Sequence, residues 1–334
     1  MQIISFTPVL MNLIEKIRKP IEKEIEQFEK SSTEELKTEN PLLKNISNYL
    51  QLGKGKQLRP ILVLLSAKLC GEVTESTIYG AISLELIHTA SLIHDDVVDN
   101  TFQRRGLPSI NAQWNNKVAI LAGDHILSKS LSCGIKSQNT RILEAIANVG
   151  MNLTDGELLQ LDKVQHAQLT EDDYFEIIHK KTALLFSSCA LIGGLSVKAD
   201  KDSLMHLFHF GEYAGICFQM KDDLFDYSEN NKIGKPTRND IKDGKITLPL
   251  IYALKNADES QKHEIEKWIE NKDFSDFHIE EIVKFVRENG GLEYTFQKME
   301  EYKNKAIEEL NSFADNELKQ SMIFFADFMS NRDF

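Results

Sequence analysis

Apolar positions along this chain recur at intervals of three and four residues, with few interruptions. From residue 8 to residue 29, Leu10, Leu13, Ile14, Ile17, Ile21 and Ile25 fall on one face of a helix. The same spacing predicts helices over 41–52, over 61–69 with Pro60 just inside the start and Gly71 at the end, and over 76–99. It continues over 117–132, 140–165, 171–195 and 203–227, then over 248–256, 260–270, 280–289, 293–311 and 318–330. Strand-like alternation is almost absent, the connections are short and polar, and no Pro- or Ser-rich linker divides the pattern. The expectation is one all-α domain over 1–334, a bundle of antiparallel helices. The Gly193-Gly194 pair either bends its helix or lets a neighbour approach closely.

Composition narrows the function classes. Hydrophobic residues make up 42% of the 334, enough for a large core, and 17 Gly with 7 Pro exclude a low-complexity chain. A formal charge of −12 and no sustained basic stripe argue against nucleic acid as the partner. No run reaches 18 apolar residues, so no transmembrane segment is expected. The opening MQIISFTPVLMNLIEK lacks the basic start and apolar run of a signal peptide. Cys70, Cys133, Cys189 and Cys217 are scattered in apolar sequence without a CxxC pair, which reads as buried thiols in a cytoplasmic protein.

The pattern changes character at two places. Residues 83–99, SLELIHTASLIHDDVVD, begin apolar and end in Asp95, Asp96 and Asp99. At helical spacing Asp95 and Asp99 stand one above the other, with Asp96 beside them. These carboxylates repel one another, and they sit where the helix dipole is already negative. A helix end apolar enough to pack inside is destabilised by such a group unless a cation is shared. Residues 218–227, FQMKDDLFDY, repeat the arrangement with Asp222, Asp223 and Asp226. One copy alone reads as a solvated acidic helix end as readily as a ligand site. Two copies predict two walls of one cavity. Hard divalent cations such as Mg²⁺ take oxygen ligands and bind phosphates as well as carboxylates, so the expected occupant is a metal facing a phosphate-bearing ligand. Neither copy has the turn glycine and distal glutamate of an EF-hand.

Basic residues gather near both motifs. In GKGKQLRP, residues 53–60, Lys56 and Arg59 lie beside glycines that leave the backbone free to approach an anion, although the GxxxxGK[ST] of a P-loop is missing. Arg104 and Arg105 precede Gly106, and two adjacent arginines with a turn glycine suit multidentate diphosphate binding. Lys180-Lys181-Thr182 form a third group, and Lys235 and Lys245, in GKPTRNDIKDGKITLP, a fourth. The combined plan is cationic side chains plus Mg²⁺ for two diphosphates.

In this order, GKGKQLRP, ELIHTASLIHDDVVDNTFQRRG, KTA, FQMKDDLFDY and DGKITLPL resemble the trans-isoprenyl (polyprenyl) diphosphate synthases of long-chain type, over roughly 53–250. The resemblance implies an isoprenoid synthase fold around a central cavity, usually as a homodimer. Mg²⁺ would lie between the two aspartate motifs, three ions per active site, with Mn²⁺ as a substitute. Asp95, Asp96, Asp99, Asp222, Asp223 and Asp226 would hold the metal on an allylic diphosphate, farnesyl or geranyl diphosphate. Arg104 and Lys181 would touch that diphosphate, helped by Lys235 and Lys245. Gly55, Lys56, Arg59, His88 and Arg105 would hold isopentenyl diphosphate, and Thr182 and Gln219 would line the reacting centre. Two positions depart from the family pattern: Lys54-Gly55 replaces a usual glycine pair, and Gln57 stands where an arginine is common. A lone His88 is ordinarily a satisfied core residue, and only this context assigns it to a diphosphate. His94 reads as structural or supporting, and Glu157 and Gln160 in GELLQ are polar residues in an apolar helix that could face the cavity.

The implied reaction is sequential head-to-tail condensation of isopentenyl diphosphate onto the allylic primer through a carbocation. The growing tail would run back along the first-motif helix, meeting Ala90 and Ser91 first. Both are small, which leaves the path open, although small residues also serve close helix packing. From Gly80 to Asp95 the helix rises about 22 Å, roughly five isoprene units, more fit if the tunnel continues past the helix start, and the expected product is about C30 to C40. A shorter-chain farnesyl or geranylgeranyl diphosphate synthase, a terpene cyclase or head-to-head condensing enzyme, and a non-catalytic prenyl-binding partner subunit are the other readings. The isopentenyl-site cations weigh against a cyclase, and the intact aspartates against a non-catalytic subunit.

Overall fold

The structure, a computed structural model, describes residues 8–53, 55–165, 169–227 and 238–331. In chain order the helices are α1 (Pro8–Arg18), α2 (Glu22–Glu35), α3 (Pro41–Leu52), α4 (Leu58–Cys70), α5 (Glu75–Val98), α6 (Ile110–Gln113), α7 (Asn116–Lys136), α8 (Thr140–Gln165), α9 (Glu171–Ile178), α10 (Leu184–Ser196) and α11 (Lys201–Phe225). After α11 come α12 (Asn239–Lys242), α13 (Leu248–Asn256), α14 (Glu259–Glu270), α15 (Asp276–Glu288), α16 (Gly291–Glu309) and α17 (Glu317–Ser330). The all-α expectation holds, with local corrections. The amphipathic run over 8–29 is split by a 3₁₀ turn, Lys19–Ile21, because Pro20 cannot continue the hydrogen-bond ladder. The run over 171–195 contains a π-helical turn, His179–Ala183. One two-residue hairpin, β1 (Gln103–Arg104) with β2 (Leu107–Pro108), interrupts the helices. Its turn residues Arg105 and Gly106 both have positive φ, 54° and 77°, as a type I′ turn requires.

α5 occupies the centre and packs against α2, α4, α7, α8 and α10. Thr74 and Thr77 form a capping box at its start. Buried Ala81, Ile82, Leu84 and Ile87 explain why it needs no polar face along this stretch. Its contact with α7 is close enough for reciprocal bonds, Ser83 Oγ to the Ser130 carbonyl and Ser130 Oγ to the Ser83 carbonyl, both 2.8 Å. The glycine pair serves close approach: a methyl on Gly193 would lie 2.5 Å from the Val63 carbonyl oxygen of α4. Cys133, Cys189 and Cys217 are buried, Cys70 is half-buried, and all four thiols are free. Among the described residues no helix is long and apolar enough to cross a membrane.

Candidate active site

α5 and α11 each end in their aspartates. Asp96 is 3% exposed, and Arg104 Nε and Nη2 both bind its Oδ1, at 2.8 and 2.6 Å. The hairpin sets up this pair by carrying Arg104 back toward the end of α5. Asn111 of α6 fastens the same helix end by donating to the Asp96 backbone carbonyl at 3.1 Å. Asp95 is half-buried; burial and then the nearby Glu157 push its carboxyl up to about 6, with Lys181 opposing. Asp99 is exposed at the helix end.

The π-helical turn faces this end of α5 and carries Lys181 and Thr182. Lys181 Nζ pairs with Glu157 and donates to Gln160 Oε1 at 2.8 Å, so the GELLQ carboxylate and amide do face the site. Gly156 makes room for the turn: a methyl there would stand 2.9 Å from Lys181 Cγ. Lys180 is directed to Asp155 and Glu176, 2.7 Å from each, and serves the outside of the turn. Thr182 Oγ1 donates to Gln219 Oε1 at 2.7 Å, and Gln219 Nε2 donates to Asp223 Oδ1 at 2.8 Å. Tyr174 completes the chain with a 2.6 Å bond to Asp223 Oδ2.

The second motif is the more enclosed. Asp223 is 2% exposed, and burial pushes its carboxyl up to about 7 against the pull of its two donors. Burial and the nearby Asp240 bring Asp226 to about 7 as well, while the Asp240 backbone N–H binds Asp226 Oδ2. Lys245 pairs with Asp240 Oδ1 at 3.0 Å. Burial works against the Lys245 charge, but attraction from Asp240, Asp99 and Asp243 outweighs it and holds the ammonium above its ordinary range. Lys245 thus lies in the field of Asp99 from the first motif and of Asp240, which binds the second. A cleft of about 640 Å³ gathers Lys181, Gln219, Asp223 and Lys245 along its wall. Lys235 lies outside the described residues.

A second group forms on the adjoining flank of α5. Arg105 Nη1 donates to the Gly53 carbonyl at 2.9 Å, and its guanidinium lies against Gly55, where a methyl would meet Cζ at 2.9 Å. Lys56 Nζ stands 4.8 Å from the centre of the Phe328 ring, and the Arg59 guanidinium 5.0 Å from that of Phe186. Burial, then Arg59, Arg105 and Arg104, hold the His88 imidazole well below its ordinary value, so it stands neutral with one N–H to donate. Glu85, one turn earlier on α5, is coupled electrostatically to Arg59 and Arg105. Arg59 Nε and Glu85 Oε2 are both buried without a hydrogen-bond partner, as expected where a polar ligand completes the set. Gly55, Glu85, Asp96, Arg104 and Arg105 border a second cleft of about 1070 Å³.

The donor set fits a hard divalent cation. The ends of α5 and α11 present carboxylate oxygens, and burial raises the carboxyls of Asp95, Asp223 and Asp226, a cost that a bound cation would offset. Among the described residues no three such side chains form a ready-made cage. Mg²⁺ takes one or two protein carboxylates and completes its shell with water and substrate phosphate.

The sequence expectation set the aspartates, Lys181, Thr182, Gln219 and Lys245 around one cleft; of these, Lys181, Gln219, Asp223 and Lys245 line the 640 Å³ cleft, and Asp96 borders the other. It missed Tyr174, Asp240, Glu85 and the two aromatic rings. Tyr174 and Asp240 carry no motif, and Glu85 reads as an ordinary polar position of α5.

The chain is similar to known proteins along most of its length. A family model described as polyprenyl synthetase matches residues 40–286. Octaprenyl diphosphate synthase of Escherichia coli (strain K12) is 32% identical over 324 residues, 97% of this chain and 100% of that protein. The crystal structure of geranylgeranyl pyrophosphate synthase from Bacteroides thetaiotaomicron has a TM-score of 0.84 and 38% identity, covering 96% of this chain and 100% of that one. A polyprenyl synthase from Caulobacter crescentus CB15, crystallised with calcium and isoprenyl diphosphate, has a TM-score of 0.90 and 27% identity, covering 96% and 98%.

Proposed function

The chain belongs to the polyprenyl synthetase family and is a trans-prenyltransferase with polyprenyl diphosphate synthase activity, and from that premise we propose that the two clefts divide its substrates between them. The cleft between the aspartate motifs takes the allylic diphosphate, farnesyl or geranyl diphosphate, and the Gly55–Lys56–Arg59 side takes isopentenyl diphosphate. The observation that carries this reading is Lys245, drawn at once by Asp99 of one motif and Asp240 beside the other. This supports reading the motifs as opposite walls of one anion site.

Enzymes of this family use a divalent metal with diphosphate substrates. Here Asp95 and Asp99, with Asp222, Asp223 and Asp226, are the residues that would hold Mg²⁺, three ions in all, and Asp96 instead keeps Arg104 aimed at the diphosphate. When bound, the metal neutralises charge on the leaving diphosphate. Lys181 and Lys245, with Lys235, add fixed positive charge where that negative charge develops, as the allylic carbon–oxygen bond breaks. The oxygens of Thr182 and Gln219 face the allylic cation and stabilise it by their dipoles. Lys56, Arg59, Arg105 and neutral His88 hold isopentenyl diphosphate so that its double bond attacks that carbon. One new carbon–carbon bond forms, and the released diphosphate takes the proton lost from the isopentenyl unit.

The product we propose is long, about C30 to C40, as in the octaprenyl relative. Ala90 is buried and Ser91 turns its hydroxyl onto the His88 carbonyl at 2.9 Å, so neither projects bulk from α5. At Gly80, about 22 Å from Asp95 along α5, the helix surface meets Ile192, where a methyl would be 2.6 Å from Cγ2. Leu121 and Ile135 of α7 and Met151 and Leu158 of α8 are each more than 60% exposed, an apolar area that supports a homodimer. The four free thiols suit the cytoplasm.

Diphosphate release with the allylic substrate alone and with both substrates tests the assignment. The expected result is release only with both, and a rise of roughly tenfold or more in KM for isopentenyl diphosphate in Lys56→Ala and Arg59→Ala. Release from the allylic substrate alone would make the chain a cyclase. An effect of the two variants confined to the allylic substrate would exchange the two sites.

A further inference from the structure

The π-helical turn His179–Ala183 packs between α8 and α11, and its side chains divide between the two. The Leu184 N–H bonds the His179 carbonyl five residues back, an arrangement that is rare within helices and found mostly at functional sites. Lys180 and Lys181 reach α8, through Asp155 at 2.7 Å and Gln160 at 2.8 Å. His179 and Thr182, one turn apart, reach α11 instead. His179 Nδ1 stands 3.0 Å from Glu212 Oε1, and Thr182 Oγ1 donates to Gln219 Oε1 at 2.7 Å. Glu212 and Gln219 lie two turns apart on one face of α11, with Gly215 between them. Gly215 lets the backbones touch there, since a methyl would meet Ala183 Cα at 2.7 Å.

Glu212 is itself held in place. Its Oε2 accepts from His209 Nδ1 at 3.2 Å, one turn earlier on α11. The His209 ring stacks on Tyr213 at 6.0 Å between ring centres, 17° from parallel. The bond from His179, joined by that from His209, outweighs burial and holds the Glu212 carboxyl below its ordinary range. An ionised carboxylate only accepts, so both Nδ1 atoms carry a hydrogen. One carboxylate thus ties α11 to the first residue of the π-helical turn, as Gln219 ties it to the fourth.

We propose that Glu212 is a positioning residue for the allylic substrate: its bond to His179 locks the π-helical turn onto α11 and so aims Lys181 and Thr182 at the cleft. The inference rests on the assignment of Lys181 and Thr182 to the allylic substrate made above. Glu212 is not among the residues lining that cleft and lies about 10 Å along α11 from Gln219, which is. Without the bond the start of the turn slides on α11, and Lys181 and Thr182 move with it. Displacement of a reacting group by about 1 Å can cost on the order of 100-fold in rate, so a small slide is enough.

The test measures initial rates of the first condensation in the full-length enzyme for Glu212→Ala, His179→Leu, their double variant and His179→Asn. Asparagine places an amide N–H near the position of the His179 Nδ1–H, whereas leucine keeps the bulk and loses the donor. The expected result is a fall of roughly tenfold in kcat/KM for the allylic substrate in Glu212→Ala and in His179→Leu. The double variant should fall no further, and His179→Asn should stay near wild type. KM for isopentenyl diphosphate and melting temperature should stay near wild type throughout. Wild-type kcat/KM for the allylic substrate in Glu212→Ala or His179→Leu overturns the role of Glu212. Losses that multiply in the double variant overturn it too, because the two residues would then not act as a unit. So does a loss in His179→Asn as large as in His179→Leu, or an equal loss for both substrates with a lowered melting temperature. Lys181→Ala, run beside these variants, separates the inference from its premise. Unchanged allylic kinetics in Lys181→Ala removes the assignment on which the inference rests. An allylic loss in Lys181→Ala with none in Glu212→Ala removes the positioning role alone.

Discussion

The Tyr174 phenol donates to Asp223 Oδ2 at 2.6 Å, and both side chains are buried. Burial, and then Asp223 itself, hold the Tyr174 hydroxyl well above its ordinary range, so it remains a donor at any working pH. The bond anchors the far end of the chain Asp223–Gln219–Thr182 that lines the reacting centre. Tyr174→Phe should therefore cost about 1–3 kcal/mol of stability at pH 8, where the carboxylate is ionised, and lower kcat about tenfold. Denaturant unfolding and steady-state rates check both. Wild-type values would mean that Asp223 and Gln219 are held by packing alone.

The metal-facing aspartates are placed for a ligand at the expense of their own repulsion. Asp95→Ala or Asp222→Ala should lower kcat on the order of 100-fold or more while the helical circular dichroism survives. The melting temperature of the metal-free protein should be unchanged or higher, since a self-repelling charge is gone. Near-wild-type kcat in either variant would remove that residue from the metal site.

Stability of the metal-free enzyme should depend on pH in an unusual direction for carboxylates. Asp95 at about 6 and Asp223 and Asp226 at about 7 all lie above the ordinary 3.8, so the fold favours their protonated forms. That contribution is complete below about pH 4 and is lost as pH rises through 6 to 7. Divalent metal competes with the same protons, so the stabilisation it adds should grow from pH 6 to pH 8. Melting temperatures in EDTA and in excess Mg²⁺ across pH 5.5 to 8 test this. In Asp223→Asn/Asp226→Asn the EDTA curve should flatten; a wild-type melting temperature that climbs with pH in EDTA would contradict the account.

Product length should respond to the α5 wall. Ala90→Phe or Ser91→Phe places a ring across the proposed path one turn before Asp95, leaving the metal-facing carboxylates untouched. The expected product falls to about C15–C20 with catalysis retained, because the ring blocks the deeper part of the path along α5. An unchanged product distribution in both variants would show that the tail runs elsewhere.

Much of this was legible along the chain because helix periodicity and the two aspartate motifs are local signals. The α5 and α11 carboxylates were placed by spacing alone. Local signals fail where a side chain acts through a residue distant in sequence. Tyr174 binds Asp223, 49 positions away, and Lys221 reaches the Phe328 carbonyl across 107. Phe328 reads as ordinary core, and its relation to Lys56 exists only once α17 packs against α4 and α11. The π-helical turn at Lys181 was equally invisible. It depends on Gly156, where a side chain would collide with Lys180 and Lys181, and on Gly215, where one would meet the Ala183 backbone at 2.7 Å.

The central claim is metal-dependent, sequential condensation of isopentenyl diphosphate onto an allylic primer held between the two aspartate motifs. Chromatography of the products formed from farnesyl diphosphate and isopentenyl diphosphate tests it most directly, with Mg²⁺ and with excess EDTA. The account predicts a ladder of products extended by five carbons at a time, ending at about C30 to C40 with Mg²⁺ and absent in EDTA. Full turnover in EDTA, or a product that never grows beyond the primer, would contradict it.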